Sequence, residues 1–156
     1  MKKLFVLSVF VLLLFALAGC APVADKNSGQ AAESKSAAAA NASQATADKL
    51  EVYYFHRTAR CYSCNTAGEY VSKTILEFFS DQMKSGQIDY REINVDLPEN
   101  KAVARKFQAS GSSLFINRIK DGQETIEQDT NIWRFLSDEA GFKSYLADKI
   151  KSYLGI

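Results

Sequence analysis

The chain has 156 residues, 47% of them hydrophobic and 24% charged, with 19 Lys and Arg against 18 Asp and Glu. That length suits one domain with accessory segments rather than two domains, and the composition is that of a folded protein. Lys2 and Lys3 are the only basic residues of the first twenty, so the remainder carries a net charge of about −1 and no basic cluster, which excludes nucleic acid and electrostatic attachment to anionic lipid as partners.

The chain opens MKKLFVLSVFVLLLFALAGC. The apolar run from Leu4 to Leu17 is shorter than the roughly 20 residues that a bilayer span needs, and two lysines before it match the layout of a secretory signal. Leu17-Ala18-Gly19-Cys20 resembles the bacterial lipobox, in which the cysteine thiol is diacylated and the chain is cleaved just before it. That resemblance implies a signal peptide over residues 1–19 and a lipid on Cys20 that holds the protein to a membrane. The location is then the cell envelope, outside the cytoplasmic membrane. Ala21 is compatible with sorting to the periplasmic face of the outer membrane in a two-membrane cell. An uncleaved anchor helix, or an ordinary signal with an incidental Cys20, are the alternatives. A lipidated Cys20 leaves an even pair, Cys61 and Cys64, in a compartment where disulfides persist. Residues 20–48 are rich in Ala and Ser, lack aromatic residues, and have Val23 as their one branched apolar side chain. Such a stretch cannot offset its ordering entropy, so it reads as a flexible tether with a reach of roughly 30 Å.

The domain, residues 49–156, begins with LEVYYF over Leu50–Phe55, a buried strand by its β-formers. His56 to Arg60 form a polar loop into Cys61. From Cys64, the spacing of Ala67, Val71, Ile75 and Phe78 or Phe79 predicts one amphipathic helix to about Lys84, ended by Ser85-Gly86. Residues 88–96 read as a second strand whose apolar parity changes between Tyr90 and Ile93, so a bulge or a late start is expected. Pro98 opens a short helix through Phe107, with Val103 and Phe107 on one face. Residues 112–119 make a third strand, Asp121-Gly122 a hairpin turn and Gln123–Glu127 the returning strand. A last helix, about Glu139–Leu154, buries Phe142, Tyr145, Leu146, Ile150 and Tyr153, with Trp133, Phe135 and Leu136 as core beneath it. The order is β-α-β-α-β-β-α. The first two strands are parallel and the last two antiparallel, in a mixed four-stranded sheet with helices on both faces.

Cys61-Tyr62-Ser63-Cys64 falls where the first strand hands over to the first helix. The first cysteine of a CxxC pair so placed faces the positive end of the helix dipole, which lowers a thiol pKa from about 8.5 to somewhere between about 3.5 and 7.5. Cys61 is then the attacking nucleophile and Cys64 resolves the mixed disulfide, with Arg57 and Arg60 adding positive charge. Covalent haem attachment needs histidine next, and residue 65 is Asn. A structural zinc site needs four ligands, whereas the chain offers two free cysteines and one histidine. A purely structural disulfide remains as the alternative to a redox-active one.

The stretch from about residue 50 to 154 resembles the thioredoxin superfamily in its minimal α/β form. Besides the CxxC pair, Ile93-Asn94-Val95-Asp96 followed by Asn100, Ala104 and Phe107 looks like the second strand and following helix of thioredoxins. Tyr54-Phe55-His56, through Thr58 to Arg60-Cys61, together with Gly111-Ser112-Ser113-Leu114, is similar to the small family of nitrophenyl-compound nitroreductase subunits (ArsF-like). No cofactor is expected, since two cysteines cannot hold a flavin or an iron–sulfur cluster. Thioredoxins carry a cis-proline opposite the cysteines, and the alignment of Phe107 and Gly111 puts Ser113 there, with a trans peptide expected because a non-proline cis bond costs about 2.5–4 kcal/mol. The buried acid of thioredoxins falls on Phe55. His56, the one histidine, is a candidate for tuning the thiolate or a plain cap on its strand; Ser113 is a candidate contact of the cysteines, and Tyr53 and Tyr54 are plain strand positions. The leading expectation is thiol–disulfide exchange or electron transfer with an unidentified redox partner protein. The altered docking edge also leaves room for a Cu(I) carrier with Cys61 and Cys64 as ligands, or for an interaction domain stabilised by its disulfide.

Overall fold

Side chains alternate across strand β1 (Lys49–His56), and both sets are buried. Leu50, Val52 and Tyr54 join one core cluster, and Tyr53 and Phe55 join another, as the two-residue period of a strand requires. A strand buried on both faces needs cover on both. The computed structural model describes residues 46–156. The expected signal peptide, Cys20 and nearly all of the expected tether lie outside the described residues.

The sheet order is β2-β1-β3-β4. Strand β2 (Ile88–Asn94) runs parallel to β1, with Leu50 opposite Ile88 and His56 opposite Asn94. Strand β3 (Ser113–Lys120) runs antiparallel to β1 with Phe55 opposite Ser113, and β4 (Gln123–Asp129) pairs antiparallel with β3. Helices α1 (Tyr62–Phe78) and α4 (Glu139–Leu154) cover one face through Ala67, Val71, Ile75, Phe142, Leu146 and Ile150. Helix α3 (Lys101–Phe107), entered through a 3-10 turn at Pro98–Asn100, covers the other with Ala104 and Phe107. The expected β-α-β-α-β-β-α order and mixed sheet are therefore present. Among the described residues no helix is long and apolar enough to cross a membrane.

Four local expectations are corrected. The first helix is not continuous to Lys84: Phe79 leaves helical geometry (φ −133°, ψ 23°) and a separate α2 follows over Ser80–Lys84. The break keeps Phe79 fully buried while Phe78 points outward, and no Pro or Gly marks it. Strand β2 has neither a bulge nor a late start, its register on β1 being unbroken from Ile88 to Asn94. The parity change arises because Ile88 and Tyr90 pack on the α1/α4 side while Ile93 and Val95 pack on the α3 side. Beneath α4 the fully buried residue is Ile132, whereas Trp133, Phe135 and Leu136 are partly buried at its margin. Strand β4 continues past Glu127 to Asp129, after a turn whose Asp121 (φ 50°) and Gly122 (φ 74°) both adopt the left-handed conformation of a type I′ hairpin.

The packed body takes in Ala47 and Asp48, just ahead of Lys49. The Ala47 side chain is buried in the α1/α4 core and its N–H donates to Tyr153 O at 2.8 Å. The Asp48 carboxylate accepts from Lys120 Nζ at 2.9 Å and from the Asp121 amide at 2.8 Å.

Candidate active site

The parallel strands β1 and β2 finish at the same end of the sheet, and the chain leaves β1 there through residues 57–60 to reach Cys61. Two contacts fix that loop: the Asp96 carboxylate accepts from the Thr58 amide at 2.9 Å and from Arg57 Nε at 3.3 Å. The Thr58 amide, and then the Arg57 guanidinium, hold the Asp96 carboxyl below the usual carboxylate range. Asn94 Nδ2 donates to Thr58 Oγ1 at 2.9 Å and ties the same loop to β2.

Cys61 is the N-cap of α1, in extended geometry (φ −76°, ψ 164°). The Cys64 N–H donates to Cys61 Sγ at 3.1 Å, so the sulfur takes the place that Ser or Asp fills at most helix starts. Cys61 and Cys64 form a disulfide with their Cα atoms 5.1 Å apart. Cys61 is exposed and Cys64 half-buried in the first helical turn. Between them Tyr62 is 86% exposed, an aromatic ring presented to solvent beside the sulfur. In the reduced protein the amide and the helix dipole both favour a negative charge on Cys61.

A second layer lies under this turn. The Tyr54 hydroxyl, on the helix-facing side of β1, donates to Cys64 O at 2.6 Å. Arg60 Nη2 donates to the same carbonyl at 3.2 Å, and its guanidinium lies 5.6 Å from the Tyr54 ring centre. Its other end, Nη1, faces Glu92 Oε2 at 3.6 Å, and Glu92 in turn accepts from the Tyr90 hydroxyl at 3.0 Å. Burial pushes the Tyr54 phenol up, against the opposing pull of Arg60. Gly68 roofs this layer: a Cβ there would collide with Arg60 Nη2 and stand 2.8 Å from Tyr54 Cε1.

The structure brings Cys61 and Cys64 together and carries Arg60 to their turn through Cys64 O. His56 Nδ1 sits 3.0 Å from Arg57 O, and its own carbonyl accepts from the Val95 amide at 2.8 Å; it closes its strand end and makes no hydrogen bond to either cysteine. Ser113 is buried and donates to Gly111 O at 3.0 Å. Arg57 is paired with Asp96, so Arg60 is the cation that reaches the motif. Phe55 is fully buried among Tyr53, Phe107 and Phe115, with ring centres 5.5–6.3 Å from its own, so no carboxylate stands at its position. The sequence reading missed Tyr54, Gly68 and Glu92. A signal for two of them exists: Tyr54 shares the parity of Leu50 and Val52 on the helix side of β1, and Gly68 sits inside a helix, where glycine costs about 1 kcal/mol and needs a reason.

A cleft of about 490 Å³ opens at this end of the sheet, with Arg57, Asp96, Lys101 and Arg105 on its walls. Among the described residues no three His, Cys, Asp or Glu side chains are grouped to hold a metal ion.

A CxxC pair capping the helix that follows the first strand, within a β2-β1-β3-β4 sheet covered on both faces, decides the fold. The fold is thioredoxin-like. No family model matches the chain, and no curated protein does. Among solved structures, the domain is similar to the thioredoxin of Fasciola hepatica, at 18% identity over 69% of this chain and 83% of that one (TM-score 0.43). It is similar to the Trx4 domain of ERdj5 at 10% identity over 67% and 82% (TM-score 0.45), and to a thioredoxin from Thermus thermophilus at 14% over 65% and 76% (TM-score 0.39). The thioredoxin-like domain takes its assignment from its own strand order and the place of its cysteines. An exposed cysteine bonded to a second at CxxC spacing supports thiol–disulfide redox chemistry.

Proposed function

We propose that this protein is an envelope-tethered carrier of thiol–disulfide exchange, an accessory redox subunit that passes two electrons between a membrane donor and a partner protein. The observation that carries this reading is the exposed Cys61 sulfur on the Cys64 amide at a helix N-terminus, with its half-buried partner one turn on. In the reduced protein the Cys61 thiolate attacks a partner disulfide. A Cys61–partner S–S bond forms, the partner's S–S bond breaks, and one partner sulfur leaves as thiolate. Cys64 then loses its proton to solvent and attacks the Cys61 sulfur, so that the Cys61–Cys64 bond forms and the second partner thiolate departs. Two electrons have moved to the partner, and the reverse sequence reloads the pair. The cleft beside the loop gives a partner segment room at the same end of the sheet, with Arg57, Lys101 and Arg105 against a single Asp96. The likeness to nitrophenyl-compound nitroreductase subunits fits an accessory role.

The decisive measurement is the reduction potential of the pair in the full chain, kept in detergent and equilibrated against glutathione and dithiothreitol buffers, with the oxidised fraction read by mass spectrometry of the peptide bearing Cys61 and Cys64. A value between about −120 and −270 mV is expected, and one below about −300 mV marks a structural bond and ends this reading. The envelope location rests on Cys20. Mass spectrometry of the mature protein is expected to find a chain starting at Cys20 with a diacylated thiol, and an uncleaved chain or an unmodified Cys20 refutes the anchor.

A further inference from the structure

We infer that Arg60 is a positioning residue that sets the redox poise of the cysteine pair, holding the first turn of α1 by the Cys64 carbonyl while its charge favours the reduced form, and that Glu92 opposes it. This rests on the exchange reading above and assigns the control of that same site.

The geometry separates Arg60 from an ordinary surface cation. Its side chain is 20% exposed, and Nη2 is spent on Cys64 O rather than on a carboxylate. Nη1 has one loose ionic partner, Glu92 at 3.6 Å, and the buried Nε has no hydrogen-bond partner among the described residues. The cation is therefore incompletely neutralised under the turn that carries both sulfurs. Charge stays effective where water is excluded, and Tyr54, bonded to the same carbonyl, screens the guanidinium from one side. The groups that face it are Tyr54 from β1 and Glu92 from β2, with Tyr90 bonded to Glu92, while the carboxylate of Asp96 is already occupied by Arg57. The position leaves Arg60 as the cation held to the turn and Glu92 as the anion that opposes it. A cation near the pair stabilises thiolate over disulfide, and a stabilised reduced form makes the pair more oxidising.

The two partners of one ion pair thus have opposite effects, which a merely structural contact does not. The full chain and three variants, Arg60→Gln, Arg60→Lys and Glu92→Gln, are equilibrated with glutathione in detergent, and thermal unfolding of each is followed in parallel. Arg60→Gln is expected to shift the equilibrium at least threefold toward the disulfide, a tenfold change being about 30 mV. Glu92→Gln is expected to shift it at least twofold the other way, and Arg60→Lys, which keeps the charge, to stay within twofold of wild type. The alkylation rate of Cys61 against pH follows the same order, its midpoint rising in Arg60→Gln and falling in Glu92→Gln. Equal or same-signed shifts in Arg60→Gln and Glu92→Gln overturn the inference, whatever happens to their melting temperatures. A wild-type potential below about −300 mV instead defeats the exchange reading, while the relative shifts still report on Arg60.

Discussion

Gly68 concentrates the physics of the site into one missing methyl group. Helix propensity favours alanine over glycine in a helix interior by about 1 kcal/mol, so on local grounds Gly68→Ala stabilises the domain. Packing reverses the sign. The added Cβ collides with Arg60 Nη2 and comes within 2.8 Å of Tyr54 Cε1, and neither can retreat without giving up Cys64 O. Losing one net hydrogen bond costs about 0.5–1.5 kcal/mol, and overpacking a filled site about 1–3 kcal/mol. Gly68→Ala is expected to lower stability by about 1–3 kcal/mol in urea titration, and an unchanged or raised midpoint would show that the layer beneath α1 is loose. The reacting residues were legible in the sequence because CxxC after a β-rich run is a pattern along the chain. Arg60 was legible as a charge beside the motif, but its meeting with Tyr54, Gly68 and Glu92 was not, because the four come together from a loop, a strand, a helix and a second strand. Proximity to Cys61 in sequence was a poor guide: Arg57 and His56 turn to Asp96 and to the loop backbone, while Glu92, far along the chain, meets Arg60.

Whole elements were read more surely than residues, and the misreadings have physical causes. Helix α4 spans Glu139–Leu154 as its apolar spacing predicts, since it carries both a start and a stop signal: Asp138 accepts from the Gly141 amide at 3.0 Å, and Gly155 closes the end at φ 70°. The α1–α2 break has no such signal, because Phe79 leaves helical geometry to stay in the core and not to satisfy a turn. Edge strand β2 misled for another reason. Its inner neighbour β1 is buried on both faces from Val52 to Phe55, whereas β2 is covered by α1 and α4 near Ile88 and by α3 near Ile93. One strand then shows two half-patterns of opposite parity, and a pattern read for a single face reports a bulge. The same two-sided cover is what lets β1 and β2 end together under firm packing and deliver the 57–60 loop to Cys61.

At the scale of the molecule, the exposed strand β4 is tied to α4 as well as paired with β3, and the tie to α4 is ionic. Lys149 Nζ lies 2.7 Å from Glu127 Oε1 and 3.0 Å from Asp129 Oδ2, and Asp129 has no exposed side-chain surface. Tyr153 donates to Glu127 at 2.7 Å, and Tyr145 to Asp129 at 2.9 Å. Burial alone would raise the Glu127 carboxyl, but the hydrogen bonds from Lys149 and Tyr153 outweigh it and leave it below the ordinary range. Asp89 on β2 behaves alike: burial raises it, but the hydrogen bonds from Arg91 and Tyr53 outweigh that and leave it below the ordinary range. A carboxyl lowered by folding contributes stability that is present above its unfolded pKa and lost as pH falls through its folded value. Burial, then the bond to Glu127, pushes Tyr153 up to about 12 from 10.0. A raised group contributes stability that is complete below its unfolded pKa and lost as pH rises through the folded one. The melting temperature is therefore expected to be flat between about pH 6 and 9, to fall in acid below the ordinary carboxylate range, and to fall again in base above the ordinary tyrosine pKa. Lys149→Met tests the source. It leaves Asp129 with only Tyr145 and the Asn131 amide, at a cost of about 1–3 kcal/mol at neutral pH. It also removes a group that lowers Glu127, so the acid fall becomes shallower than in wild type. An acid limb of unchanged steepness would place the titrating groups elsewhere, and the anchoring of β4 would then rest on the strand ladder to β3 and not on α4.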